Sequence, residues 1–242
     1  MFIACTILLA VYLFIQAINL LVVRIIGFDK TPNQLSSSLP TLAILVAARN
    51  EAGNLPQCLQ SLVKLDYPKH LMEIWVGNDQ SEDATEQIID EFVSQYPFIK
   101  KLNITENIGL AKGKANVLAQ LAHKSSASFF LITDADIQVN TQWAKTMLGF
   151  FNHDTGIVSG TTVVNHCGYL NPMQQMDWLY FMGLLLTFNR FKIPSTAVGN
   201  NMAIKREAYF ATGGYENISF SVTEDFSLFK AVRNIGWNTV NM

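Results

Sequence analysis

The hydrophobic pattern of the chain opens with an unbroken apolar run. From Phe2 to Val23 no side chain is charged, and only Thr6, Gln16 and Asn19 interrupt the run with polar groups. A bilayer core takes about 20 such residues as a helix, so the run predicts one membrane span within residues 1–26. A cleaved leader is the competing reading, but the run lacks a basic start and is longer than the apolar core of such leaders. Arg24 and Lys30 follow the run and no Lys or Arg precedes it, which directs the rest of the chain to the cytoplasmic side of the cell membrane.

Beyond a polar linker at 27–40, rich in Ser and Pro, the pattern changes to short apolar runs alternating with helical spacing. Thr41–Ala48 is a buried strand. Leu55, Cys58, Leu59, Leu62 and Leu65 keep one face of a helix that Asn54 is placed to cap. Strands follow at 73–77, 99–104 and 128–133, and helices begin at Asp83, Lys114 and Thr141. This order of strand, polar loop and helix predicts an α/β domain with a doubly wound, mostly parallel sheet flanked by helices. A further strand spans 157–164. The aromatic and Met-rich segment 172–191 reads as a helix, its apolar stretch too short for a second span and therefore packed in a core or lying at a membrane interface. The segments 208–211 and 224–236 read as helices, and the chain stops in the opening of another strand.

Composition narrows the chemistry. Two hundred and forty-two residues suffice for one large α/β domain, and a formal charge of −2 without a basic stretch disfavours nucleic acid as a partner. Cys5, Cys58 and Cys167 have neither metal-ligand nor disulfide spacing and read as small buried apolar residues. The four histidines form no metal motif.

The candidate chemistry stands where strands end. Phe129–Thr133 stops at Asp134 and Asp136, two carboxylates that lie at the ligand edge of an open α/β sheet. Such a pair can hold Mg²⁺ or Mn²⁺ with a diphosphate completing the shell, or it can be a turn or helix cap. Asp79, after the second strand, is placed to accept hydrogen bonds from a base or ribose, or is a turn residue. Lys114, at a helix start, is placed to meet a diphosphate, or is a solvated lysine. Glu224 and Asp225 supply a second acid pair, either a general base with its neighbour or the favourable first turn of a helix that Thr223 caps. Gly109-x-x-x-Gly113-Lys114-Ala115 is one residue short of a P-loop and lacks its Ser or Thr, and no dinucleotide fingerprint follows the first strand.

The order of Val46–Glu51, Asn78–Ser81, Gly113–Ala115, Thr133–Asp136, Gly199–Arg206 with Gly213-Gly214-Tyr215, and Thr223–Asp225 resembles the family 2 glycosyltransferases of GT-A fold, in their membrane-anchored processive-synthase-like and lipid-glycosylating branches. The resemblance covers 41–242. It implies an inverting transfer from a nucleotide sugar, with a UDP-sugar favoured, to a lipid or polysaccharide hydroxyl at the membrane. It also implies that Ala47, Glu51, Asp79, Lys114 and Asp134 line the nucleotide pocket, and that Asp136 with Asp134 holds Mg²⁺ or Mn²⁺. Asp225 is then the base with Glu224 beside it, and Gly199, Asn200 and Asn201 border the acceptor. Asn78 stands where the family often has a second acid. The Gln-x-x-Arg-Trp segment and the later membrane helices of these branches are missing, so the chain reads as cut short at its C-terminal end. Two alternatives differ in class: a nucleotidyltransferase, which would call for a basic Gly-rich loop early in the chain, and a catalytically silent, membrane-anchored nucleotide-binding scaffold.

Overall fold

A computed structural model of the protein describes residues 2–26, 31–33, 38–163, 175, 178, 180–185, 187, 199–218 and 224–241. The chain divides into two compact units, one of residues 1–31, 161–196 and 241–242 and the other of residues 32–160 and 197–240.

The first unit contains α1 (Phe2–Ile26). Its described apolar side chains, among them Leu8, Tyr12, Phe14, Ile18 and Leu20, are exposed on every side of the helix. Several α1 side chains fall outside the described set, and among the described residues no helix is long and apolar enough to cross a membrane. Most of the helix expected over 172–191 also lies outside the described residues. Within that segment the described positions are helical, and the Trp178 indole N–H donates to the Thr162 carbonyl at 2.6 Å.

The second unit is the α/β domain. Its elements run β1 (Leu42–Ala48), α2 (Leu55–Val63), β2 (Met72–Asn78), α3 (Thr85–Gln95), β3 (Ile99–Asn103), α4 (Gly113–Lys124), β4 (Phe129–Asp134), α5 (Trp143–Gly149), β5 (Thr155–Ser159), β6 (Asn201–Lys205), α6 (Arg206–Ala211), α7 (Glu224–Asn234) and β7 (Asn238–Asn241). Seven strands form one sheet in the order β3-β2-β1-β4-β6-β5-β7. The first four pair in parallel, as the alternation of strands and helices predicts. The other half departs from a simple parallel winding, because β6 inserts between β4 and β5 and pairs antiparallel with both.

The central strands are apolar on both faces because each face is covered, which is why they read as continuous runs rather than alternations. One face carries Ala43, Leu45, Phe130, Ile132, Met202 and Ile204 into a cluster with Val117, Leu118 and Leu121 of α4, Tyr209 of α6, and Leu228, Phe229 and Val232 of α7. Gly77 of β2 lies directly beneath α4, where any Cβ would overlap Val117. Close packing of α4 against β2 therefore needs a glycine here.

Several local expectations change. Asn54 stands at the N-cap of α2, but its side chain makes no cap hydrogen bond and instead donates to Glu51 Oε2 at 3.1 Å. α3 begins at Thr85 rather than Asp83, with the Asp83 carboxylate accepting from the Thr85 N–H at 2.9 Å. α5, expected to begin at Thr141, begins at Trp143, and β5 ends at Ser159 rather than at 164. Of the cysteines taken as buried, Cys58 is so, Cys5 is exposed, and Cys167 lies outside the described residues. Thr223, the expected cap of α7, lies outside them as well.

Candidate active site

Strand register brings the polar ends of three strands to one level. Ala47 pairs with Gly77 on one side and Asp134 on the other, so the first, second and fourth strands finish together. β6 runs the opposite way, and Asn201 at its start pairs with Thr133. Gly199 and Asn200, immediately before it, thus reach the same edge of the sheet.

The loops after β1 and β2 are tied to each other. The Asn50 N–H donates to Ser81 Oγ at 3.1 Å, and the Glu82 N–H donates to Asn50 Oδ1 at 2.8 Å. Behind them the Glu51 N–H donates to Thr85 Oγ1 at 2.8 Å and the Ala52 N–H to Asp83 Oδ2 at 3.1 Å. Asn50 and Gln80 both hold positive φ, at 56° and 54°, a conformation that costs a non-glycine residue energy and persists here because these bonds over-determine it. Asp79 continues the ladder through its N–H to the Ala48 carbonyl at 2.9 Å, and its carboxylate lies 3.7 Å from the largely exposed Arg49 guanidinium.

At the end of β4 the two acids take different positions. Asp134 is half-buried, and its Oδ1 lies 2.5 Å from Lys114 Nζ. Asp136 projects into solvent. Burial opposes the charge on Lys114, yet Asp134, Asp225 and Glu224 together hold its pKa above the ordinary lysine value. Lys114 is therefore a fixed cation facing both acid pairs. Cys58 lies beneath the same cluster with its Sγ 3.5 Å from the Asp134 carbonyl. Its thiol is pushed up to about 12 by burial, then by the charges of Asp136, Asp134 and Glu51, all of which disfavour a thiolate.

This donor set fits a hard divalent cation. Asp136 offers exposed carboxylate oxygens, Asp134 a second carboxylate two residues away, and Cys58 beneath them stays protonated and so is no soft ligand. Among the described residues no group of three His, Cys, Asp or Glu could hold a metal ion. Two carboxylates leave most of the shell to water and substrate phosphates, the arrangement Mg²⁺ commonly takes.

The second acid pair opens α7. Asp225 Oδ1 accepts from the Tyr215 hydroxyl at 2.7 Å, and any Cβ at Gly199 would overlap the other side of that carboxylate. Burial, and then the nearby Asp225 charge, raise the Tyr215 pKa well above the tyrosine range, so Tyr215 stays a donor. The Tyr215 N–H in turn donates to the Tyr209 hydroxyl at 3.1 Å. Of the eleven positions singled out from the sequence, electrostatics links Asp134, Lys114, Glu224 and Asp225 at one hub and Glu51, Asp134 and Asp136 around Cys58. Asp79 pairs with Arg49. Asn201 turns its side chain to Trp143, whose indole N–H donates to Asn201 Oδ1 at 2.8 Å. Sequence reasoning gave Tyr215 and Cys58 no place in the site. Tyr215 entered only as the last residue of the Gly213-Gly214-Tyr215 motif and Cys58 only as a buried apolar residue, because each reaches the acids through tertiary packing.

Residues 43–210 match the profile of the family described as "Glycosyl transferase family 2". The chain is similar to "Probable glycosyltransferase YdaM" of Bacillus subtilis, 31% identical over 83% of this chain and 48% of that protein. It is similar also to "Beta-monoglucosyldiacylglycerol synthase" of Synechocystis, 26% identical over 78% of this chain and 39% of the relative. The chain thus spans about half the length of these relatives or less. Among solved structures, "Mannosyltransferase PcManGT from Pyrobaculum calidifontis in complex with GDP-Man and Mn2+" superposes with a TM-score of 0.71 at 18% identity, covering 94% of this chain and 61% of that one. The Staphylococcus aureus TarS 1–349 structure in complex with UDP-GlcNAc gives 0.62 at 18% identity, covering 84% and 56%. At these identities the structural likeness shows a shared GT-A fold.

Proposed function

The chain belongs to glycosyl transferase family 2, and from that premise we propose that it transfers a sugar from a nucleotide diphosphate sugar, with inversion, to a hydroxyl of a membrane-associated lipid or polysaccharide. The observation that carries the reading is a half-buried cation, Lys114, facing Asp134 at the end of β4 on one side and the Glu224–Asp225 pair on the other. A diphosphate leaving group and an acceptor base are needed within one sugar's reach of each other, and this arrangement supplies a partner for each.

Ala47, Glu51 and Asp79 border the nucleotide in this reading, and Gly199, Asn200 and Asn201 border the acceptor. Asp136 and Asp134 would hold Mg²⁺ or Mn²⁺, which supplies positive charge against the diphosphate. Lys114 adds a second positive charge from the first turn of α4, where free N–H groups also favour anions. Asp225 takes the proton of the acceptor hydroxyl as its oxygen bonds to the anomeric carbon and the bond to the diphosphate oxygen breaks. One such displacement inverts the anomeric centre. A UDP-sugar donor is supported by the TarS likeness, and a diacylglycerol-type acceptor by the Synechocystis relative.

Membrane attachment through α1 belongs to the same proposal. A helix of 25 residues spans about 37 Å, and one that exposes Leu, Ile, Val and Phe on all sides is matched to hydrocarbon rather than water. The catalytic domain then lies on the cytoplasmic side, where Arg24 points.

Calorimetric titration of the full chain in detergent with UDP, with and without Mn²⁺, tests the donor site. Binding that needs the metal and is lost in Asp136→Ala is the expected result. UDP binding of equal strength with and without metal and in that variant would overturn the assignment.

A further inference from the structure

The setting of Asp225 distinguishes its two carboxylate oxygens. Oδ1 accepts from the Tyr215 hydroxyl, and Tyr215 is itself fully buried and fixed through its N–H to the hydroxyl of the buried Tyr209. Gly213 and Gly214, at φ 80° and 64°, form the turn that delivers Tyr215 to this position. Oδ2 faces Gly199, and it is the atom that a Cβ at position 199 would meet first. The Asp225 carboxylate is thus held at one oxygen by a phenol that cannot rotate away, while its other oxygen lies over a backbone without a side chain.

We propose that Tyr215 is a positioning residue that assigns the two oxygens of Asp225 separate roles, Oδ1 as anchor and Oδ2 as the proton acceptor, with Gly199 leaving the room that Oδ2 occupies. The inference rests on Asp225 being the base. A carboxylate free to turn about its Cβ–Cγ bond presents either oxygen and spends part of its time misaligned. Anchored at Oδ1 it presents one oxygen in one direction, and alignment of a base with the proton it takes contributes strongly to rate. Lys114, from α4, adds a positive charge facing Asp225, and Glu224, its neighbour on α7, adds a negative one. Tyr215 is the group among these that contacts the carboxylate directly, and burial keeps its hydroxyl protonated.

The test compares Tyr215→Phe, Gly199→Ala and Asp225→Asn in the full chain, incorporated in diacylglycerol-containing vesicles, by release of UDP from UDP-glucose, UDP-galactose and UDP-GlcNAc. In Tyr215→Phe, kcat falls roughly 10- to 100-fold with KM for the sugar nucleotide unchanged. Gly199→Ala retains UDP affinity and loses turnover. A Tyr215→Phe protein with the parent's kcat and KM overturns the positioning role while leaving Asp225 as base. Undiminished UDP release by Asp225→Asn overturns the base assignment and this inference with it. UDP affinity in each variant, measured by calorimetry, reports that the fold is intact.

Discussion

Lys114 Nζ lies 2.5 Å from Asp134 Oδ1, so the first turn of α4 is tied to the last residue of β4 across the edge where the strands end. The pair joins α4 to the acid that begins the Asp-x-Asp motif. Two elements from different parts of the chain thereby become one surface.

Replacing that lysine should weaken donor binding and flatten an alkaline stability profile. Lys114→Met is expected to lose about tenfold or more in UDP affinity by calorimetry, the usual scale for a charged hydrogen bond. The Lys114 pKa is raised in the folded protein despite burial, through Asp134, Asp225 and Glu224. Its stabilising contribution is therefore complete below the unfolded lysine value of about 10.4 and disappears as pH rises through the higher folded value. Urea unfolding followed upward from about pH 10 should show a decline in the parent that is shallower in the variant.

Gly77→Ala should destabilise the domain by about 1–3 kcal/mol, because the added methyl meets the short Val117 side chain of α4 inside a closed core. Val117→Ala in the same chain should recover part of the loss. Unfolding midpoints in urea of the two single variants and the double variant measure that coupling. Strict additivity would contradict the contact.

Tyr209→Phe removes the hydroxyl that accepts the Tyr215 N–H. That N–H is buried, and leaving it without a partner costs about 1–3 kcal/mol. The expected result is a lower urea midpoint without loss of UDP affinity, since Tyr209 packs against Phe130 and Tyr215 on the core side of the site.

Cys58 should resist thiol reagents. Its thiol is pushed up to about 12 and is wholly buried, whereas Cys5 is exposed. Iodoacetamide at pH 8 should leave the Cys58 peptide unmodified in the folded protein and label it after urea unfolding, as read by peptide mass mapping. Asp136→Asn removes one of the charges that raise the thiol's pKa, so any residual reactivity should increase in that variant.

Much of the fold was legible because parallel strands covered on both faces leave a plain local trace. The runs at Leu42–Val46 and Phe129–Thr133 could hardly be anything else, and the helices and strands between them followed from period and turn chemistry to within a residue or two. The candidate acids were legible for a related reason: a charged pair placed directly after a buried strand stands at the sheet edge wherever the strand itself is placed. Cap details were less legible. Asn54 and Asp83 each had the right residue type, but Asn54 turned back to Glu51 in its own loop and Asp83 accepted from Ala52 in the loop that meets it across the sheet edge.

By itself the sequence determined the α/β alternation, the apolar first helix, the strand-end carboxylates and the resemblance that identified the family, all of them properties of short windows or of their order. Tertiary structure alone decided that β6 inserts antiparallel between β4 and β5, that Lys114 faces Asp134, and that Tyr215 holds Asp225 against Gly199. The physical reason is common to all three. Strand neighbours and side-chain partners far apart in the chain are selected by which arrangement buries the shared apolar faces while leaving each polar group a partner, and no local period carries that information.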